Sequence, residues 1–161
     1  QFLRRQRAVC VDNHREWGSL PPRLIEQIEG FLPPLEALVD RGRPAHLIHA
    51  DMTEDHLLGN IVDGRWQTLG LIDFGDAMTG DLLYELGALQ MSLFHRDQRL
   101  LYAFLNSYGL DLGKREGLAR KAMATALLHQ FDLFTGLPEE MLRVETLEVL
   151  AESIWGEPLR F

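Results

Sequence analysis

The residues best suited to chemistry lie between positions 49 and 76. His49-Ala50-Asp51 closes a short apolar run, and the polar turn Met52-Thr53-Glu54-Asp55-His56 follows. A second cluster, Leu71-Ile72-Asp73-Phe74-Gly75-Asp76, stands about twenty residues on, as a strand-turn-strand connection allows. Phosphoryl transfer requires two carboxylates in this order. One takes the proton of an attacking hydroxyl, and the other holds the metal ion on the nucleotide phosphates. Taken singly, Asp51 reads as a surface turn carboxylate and Asp73 as a residue ending a strand. The joint pattern outweighs those readings.

The elements that must position these groups are mostly helical. Residues 1–17 read as a short helix. Ser19 is a cap candidate for a helix entered through Pro21-Pro22 and carried by Leu24, Ile25, Ile28, Phe31 and Leu32. Pro33-Pro34 interrupts that helix. Leu35, Leu38 and Val39 continue it to Arg41-Gly42, and Arg43-Pro44 opens a loop. Leu47-Ile48 reads as a buried strand. Segments 60–62 and 66–72 read as a hairpin turned by Asp63-Gly64. Helices are expected over 81–94, over 99–108 with Gly109 as its stop, and over 114–135 as a long central element. A last helix should run from Leu137-Pro138 to about Trp155. No internal repeat, low-complexity tract or linker appears, so 1–161 is expected to form a single α+β domain, mostly helical with a small antiparallel hairpin.

The chain has 161 residues and a formal charge of −8. That size buries a core without staples. The acidity makes nucleic acid a poor partner and favours cationic small molecules. Cys10 is the one cysteine, which excludes a disulfide framework and fits a reducing cytoplasm. No apolar run reaches membrane-spanning length, so no membrane partner is expected. Arg4-Arg5-Gln6-Arg7 reads as a solvated helix face. Gln1 is no initiator, so the chain is expected to be a fragment, a processed product or an incomplete reading frame.

From position 46 to 88 the chain resembles the C-terminal lobe of the aminoglycoside phosphotransferase and choline kinase family, protein-kinase-like enzymes acting on small molecules. The family pattern is H-G-D-x-x-x-x-N, a hairpin, then I-D-[FW]-x-x-[AS]-x-x-G-D-x-x-[YFW]-D-L-[AG]. This sequence reads His49-Ala50-Asp51, Leu71-Ile72-Asp73-Phe74-Gly75-Asp76-Ala77 and Gly80-Asp81-Leu82-Leu83-Tyr84-Glu85-Leu86-Gly87. The resemblance implies a catalytic loop over 47–60, a metal-binding loop over 71–81 and an acceptor-side helical region over 82–161. It implies Asp51 as catalytic base, His49 as brace of the catalytic loop, and Asp73 as ligand of Mg²⁺, or Mn²⁺, bound with ATP. Asp81 and Glu85 would support the loop from below, with Glu85 one methylene longer than the usual Asp.

The resemblance fails at two places. His56 stands where the pattern has the Asn that holds a second ion. Three readings stay open: His56 ligates Mn²⁺ or a weakly held Mg²⁺, it donates to phosphate, or the site is degenerate. Asp55 is close enough to supply the missing oxygen by a small shift of the turn. Second, nothing before His49 resembles the N-terminal nucleotide lobe, with its Gly-rich loop and its Lys. The isolated chain is therefore expected to transfer little phosphate and to pair with itself through the face that lobe would cover.

Acceptor-side candidates are Asp55, Asp76 and Asp132, the last lying in the apolar stretch Phe131-Asp132-Leu133-Phe134. The run Glu139, Glu140, Glu145, Glu148 and Glu152 suits a cationic acceptor but reads better as a solvated helix face. Trp17 and Trp155 read as packing residues, and His129 as a hydrogen-bonded core residue. His14, His46 and His95 show no ligand spacing. Two rival functions remain: a non-catalytic binding module that keeps the lobe's fold, and a metal-dependent hydrolase with His49, Asp51, His56 and Asp73 as ligands.

Overall fold

The computed structural model describes residues 1–39, 45–109 and 117–156. The expected helix end at Arg41-Gly42, the loop at Arg43-Pro44 and the start of a helix at Lys114 lie outside these residues. The fold is α+β and mostly helical, with two small antiparallel ribbons among the described residues.

Helix α1 (Phe2–Trp17) ends at Gly18, whose left-handed backbone (φ 71°) returns its N–H to the His14 carbonyl. The next region differs from expectation. Two single-turn helices, α2 (Pro22–Ile25) and α3 (Ile28–Phe31), replace one helix, and Leu35–Ala37 forms only a 3₁₀ turn. Ser19 is no cap, because its hydroxyl donates to Asp132, and Pro21 takes the cap position. The apolar spacing survives these breaks, and Leu24, Ile25, Ile28, Phe31 and Leu32 are all buried.

Strand β1 (His46–Ile48) pairs with β4 (Met78–Gly80), a partner the sequence did not reveal. Only Ile48 of the expected apolar pair is buried, whereas Leu47 on this edge is 72% exposed. Strands β2 (Leu57–Val62) and β3 (Arg65–Leu71) form the expected hairpin. Asp63 and Gly64 both take positive φ (51° and 72°), the conformation that a two-residue turn matching strand twist requires. Gly59, paired with Thr68, is needed under the Trp66 side chain, whose ring would lie 2.3 Å from any Cβ there. Ile72 extends the ladder by donating to the His56 carbonyl at 3.0 Å.

Asp81 caps α4 (Leu82–Ala88) by accepting from the Leu83 amide. The helix widens into a π turn at Leu89–Leu93, then reaches α5 (Gln98–Ser107), which Asp97 caps. Helix α6 (Leu118–Leu127) packs between α4 and α8 (Leu147–Trp155) and forms the centre of the core. Gly87 brings α4 close to α6, with Ala126 only 3.7 Å from where a Cβ would stand.

Two expected helices are shorter than their apolar spacing suggests. The helix expected over 114–135 ends at Leu127. Beyond it, Asp132 takes the Phe134 amide and His129 takes the Phe131 amide, so side chains replace the helical acceptors. The last expected helix is broken into α7 (Glu139–Leu142) and α8, because Thr146 starts a new helix by accepting from the Val149 amide.

Arg7 is not merely solvated, since its guanidinium donates to the Pro33 carbonyl at 2.6 Å and ties α1 to the chain after α3. Cys10 and His14 both donate to the Leu127 carbonyl, at 3.2 and 3.0 Å. They satisfy from α1 an acceptor left open where α6 ends.

Candidate active site

β1 delivers His49 to a sharp bend. Ala50 is fully buried with φ 64°, a left-handed conformation costing an L-residue roughly 1–2 kcal/mol. The bend reverses the chain so that Asp51 leaves the strand and faces the base of the β2–β3 hairpin. Glu85, buried on α4, holds the bend: its Oε2 accepts from the Ala50 amide at 2.8 Å. Asp81 supports the loop at one remove, by capping the helix that carries Glu85.

His49 is buried, and its Nε2 lies 2.8 Å from the Ile72 carbonyl. A carbonyl only accepts, so Nε2 carries the proton. This bond fastens the loop containing Asp51 to the residue before Asp73. Phe74 packs on the same ring, with centroids 4.9 Å apart. Asp73 also has a left-handed backbone (φ 61°, ψ 61°), which Asp tolerates better than most residues. That twist starts the 3₁₀ turn Phe74–Asp76 and leaves Asp73 exposed beside the hairpin.

His56 joins the two carboxylates. Its Nδ1 donates to the backbone carbonyl of Asp51 at 2.7 Å and lies 3.9 Å from Asp51 Oδ2. Its Nε2 lies 3.6 Å from Asp73 Oδ2. The Asp51 carbonyl thus fixes the proton on Nδ1. In the neutral ring the Nε2 lone pair then points toward an anionic oxygen, an arrangement that a shared cation resolves. An oxygen and a nitrogen donor at this separation fit a divalent ion. Among the described residues no group of three or more His, Cys, Asp or Glu converges to hold a metal. The hydrolase ligand set is therefore not assembled among them. A site with few protein ligands suits Mg²⁺, which keeps waters and takes phosphate oxygens.

The acceptor-side candidates separate. Asp55 is exposed on the turn with no side-chain partner among the described residues, while neighbouring Glu54 pairs with His95 at 2.8 Å. Asp76 is exposed, and its Oδ1 accepts from the Gln130 amide at 2.8 Å. Asp132 is committed to the fold, accepting from Ser19, Thr135 and the Phe134 amide. Of the acidic run, Glu139 pairs with Arg143 and Glu148 with Arg120, and all five glutamates are exposed, a solvated face. Trp155 is fully buried, and Trp17 packs edge-on against His14.

The structure adds three residues to this neighbourhood. Tyr84 and His129, both buried, stack with centroids 4.5 Å apart. The Gln130 amide donates to the Tyr84 hydroxyl, and the Gln130 side chain reaches Asp76. Burial pushes the Tyr84 phenol well above its ordinary range and pushes His129 down to about 4. Both rings are therefore uncharged near neutrality. Tyr84 occupies the aromatic slot of the motif quoted above, which was the one available signal. His129 and Gln130 gave none, because their positions depend on where α6 ends.

The chain is similar to part of the lysine-specific demethylase JMJ21 of Arabidopsis thaliana, 28% identical over 181 aligned residues. The alignment covers 87% of this chain and 19% of that protein, so the chain spans about a fifth of the length of this curated relative. The family model for the phosphotransferase enzyme family matches residues 2–123, which include the bend at Ala50, both aspartates and the hairpin between them. On that match, and on the two carboxylates it contains, the chain belongs to the phosphotransferase enzyme family.

Proposed function

We propose that this chain supplies the base and the metal-holding carboxylate for transfer of the γ-phosphoryl group of ATP to a hydroxyl of a small cationic molecule. The observation that carries the reading is the placement of Asp51 and Asp73 on either side of His56, with each loop fastened to the other through His49 and Ile72. Asp51 accepts the hydroxyl proton while the acceptor oxygen bonds to phosphorus and the bond to the ADP oxygen breaks. The products are the phosphorylated acceptor, ADP and a proton held on Asp51. Asp73 and His56 are the residues that would hold Mg²⁺ or Mn²⁺, which when bound draws charge from the phosphate oxygens.

Of the three readings of His56, the fixed tautomer supports the metal ligand. Nδ1 is occupied by a carbonyl, and Nε2 is left as an acceptor aimed at Asp73. A nitrogen donor suits Mn²⁺ better than Mg²⁺. A cationic acceptor is supported by the charge of −8 and by the exposed carboxylates of Asp55 and Asp76. Asp76 keeps one oxygen free of Gln130. The demethylase name describes a chain about five times longer, and none of the geometry above supports that activity here.

The test is ATP consumption by the full-length protein with Mg²⁺ or Mn²⁺ and a panel of aminoglycosides and amino alcohols. Acceptor-dependent turnover should fall by about 10²–10⁴-fold in Asp51→Asn. His56→Asn should move the preference from Mn²⁺ towards Mg²⁺, in direct ion-binding measurements as well as in turnover. A folded protein that consumes no ATP with any acceptor or ion would instead support the binding module.

A further inference from the structure

Ala50 directly precedes Asp51 and holds a backbone conformation it would not choose alone. The peptides flanking it must be held for the Asp51 carboxylate to keep one direction. Glu85 holds the first through the Ala50 amide. His129 stands at the second. Its ring is 1% exposed, and its Nδ1 accepts from the Phe131 amide at 3.2 Å, so the neutral ring carries its proton on Nε2. The Ala50 backbone lies beside this ring, and Nε2 is a buried donor without a partner.

A buried donor left unbonded is costly, so its persistence calls for a reason. The ring cannot drift, because Tyr84 stacks on it and Gln130 pins the Tyr84 hydroxyl. Glu85 Oε1, on the other side of Ala50, is likewise buried and unpartnered, which leaves slack on both sides of the bend. Hydrogen bonds in unliganded catalytic sites are often long and tighten when substrate binds.

We propose that His129 is a positioning residue for Asp51, its Nε2–H closing on the Ala50 carbonyl so that Glu85 and His129 together grip both peptides of the bend. This role rests on the phosphotransfer reading above. It also gives a purpose to the early end of α6. A helix running on to 135 would carry His129 along its own axis, whereas the break turns the ring onto the catalytic loop.

Two variants of the full-length protein separate positioning from packing. His129→Phe keeps a ring for Tyr84 but has no N–H. His129→Gln restores an N–H donor. Expected is a fall of at least tenfold in kcat for His129→Phe, with KM for ATP and acceptor within about twofold, and recovery of most of that loss in His129→Gln. The amide ¹⁵N shift of Asp51, which reports on the Ala50 carbonyl, should move in the Phe variant and return in the Gln variant. Wild-type kcat in His129→Phe overturns the proposal, and so do equally slow variants with an unmoved Asp51 amide. An Asp51 amide that responds in a protein with no phosphotransfer means the transfer reading has failed, and the positioning role falls with it. Phosphotransfer with an unresponsive amide means the grip alone has failed.

Discussion

At the scale of single residues, Glu85 shows how little freedom the site has. The related pattern has Asp at this position, yet the 2.8 Å bond to the Ala50 amide is made by a side chain one methylene longer. Glu85→Asp would withdraw the carboxylate by more than a hydrogen bond can stretch and leave a buried amide unsatisfied. We expect a loss of about 1–2 kcal/mol in urea unfolding, with faster hydrogen exchange at the Ala50 amide. An unchanged midpoint would mean that the backbone follows the shorter side chain. Asp51, His49, His56 and Asp73 could be singled out in the sequence because they fall in one continuous motif, and the structure brings them together. The tautomer of His56 was not legible, since it depends on a carbonyl whose direction follows from the left-handed Ala50. The pairing of Tyr84 with His129 and Gln130 was hidden for a related reason: a contact made across two elements has no signature in either one.

At the scale of elements, the core was easier to read than the boundaries. Leu24, Ile28, Leu86 and Leu127 are buried as their spacing required, yet the helices carrying them are shorter than that spacing suggested. Apolar periodicity reports which face is inward, and it continues through a break as long as the chain stays against the core. Breaks came from side chains that competed for backbone amides: Asp132, His129 and Thr146. The ribbon of β1 and β4 was half missed, because a three-residue strand carries too little pattern to announce a partner thirty positions away. The end of α6 has a measurable weakness. His14 is fastened there to Leu127, and His129 follows two residues on. Burial lowers the pKa of both below the ordinary value of 6.5, for His129 to about 4. The unfolded chain therefore takes up protons first. The stability tied to these neutral rings is whole above about pH 6.5 and is lost as the pH falls towards 4. For His129 the loss approaches about 3 kcal/mol. Unfolding midpoints measured from pH 7 to pH 4 should fall in wild type and fall less in His129→Phe. Parallel declines would assign the effect to other groups.

At the scale of the whole molecule, charge and apolar surface are segregated. Exposed glutamates line α7 and α8, two of them paired with arginines, while Leu58, Ile61, Trp66, Leu69, Ile72 and Phe74 leave the hairpin and its base apolar and exposed. The helical body and the site thus differ in character, one closed around α6 and the other open toward solvent. Cys10 lies on the closed side. Its thiol is buried against Leu127, and burial pushes its pKa to about 12. A reagent that needs thiolate cannot reach it while α1 stays seated. The only cysteine of the chain is therefore a stopwatch for the seating of that helix. In the presence of a thiol-reactive chromophore, the labelling rate counts excursions in which α1 lifts away. If α1 lifts alone, labelling should outpace global unfolding and stay nearly flat at low urea. If the two rates coincide at every urea concentration, the helix leaves only when everything else does.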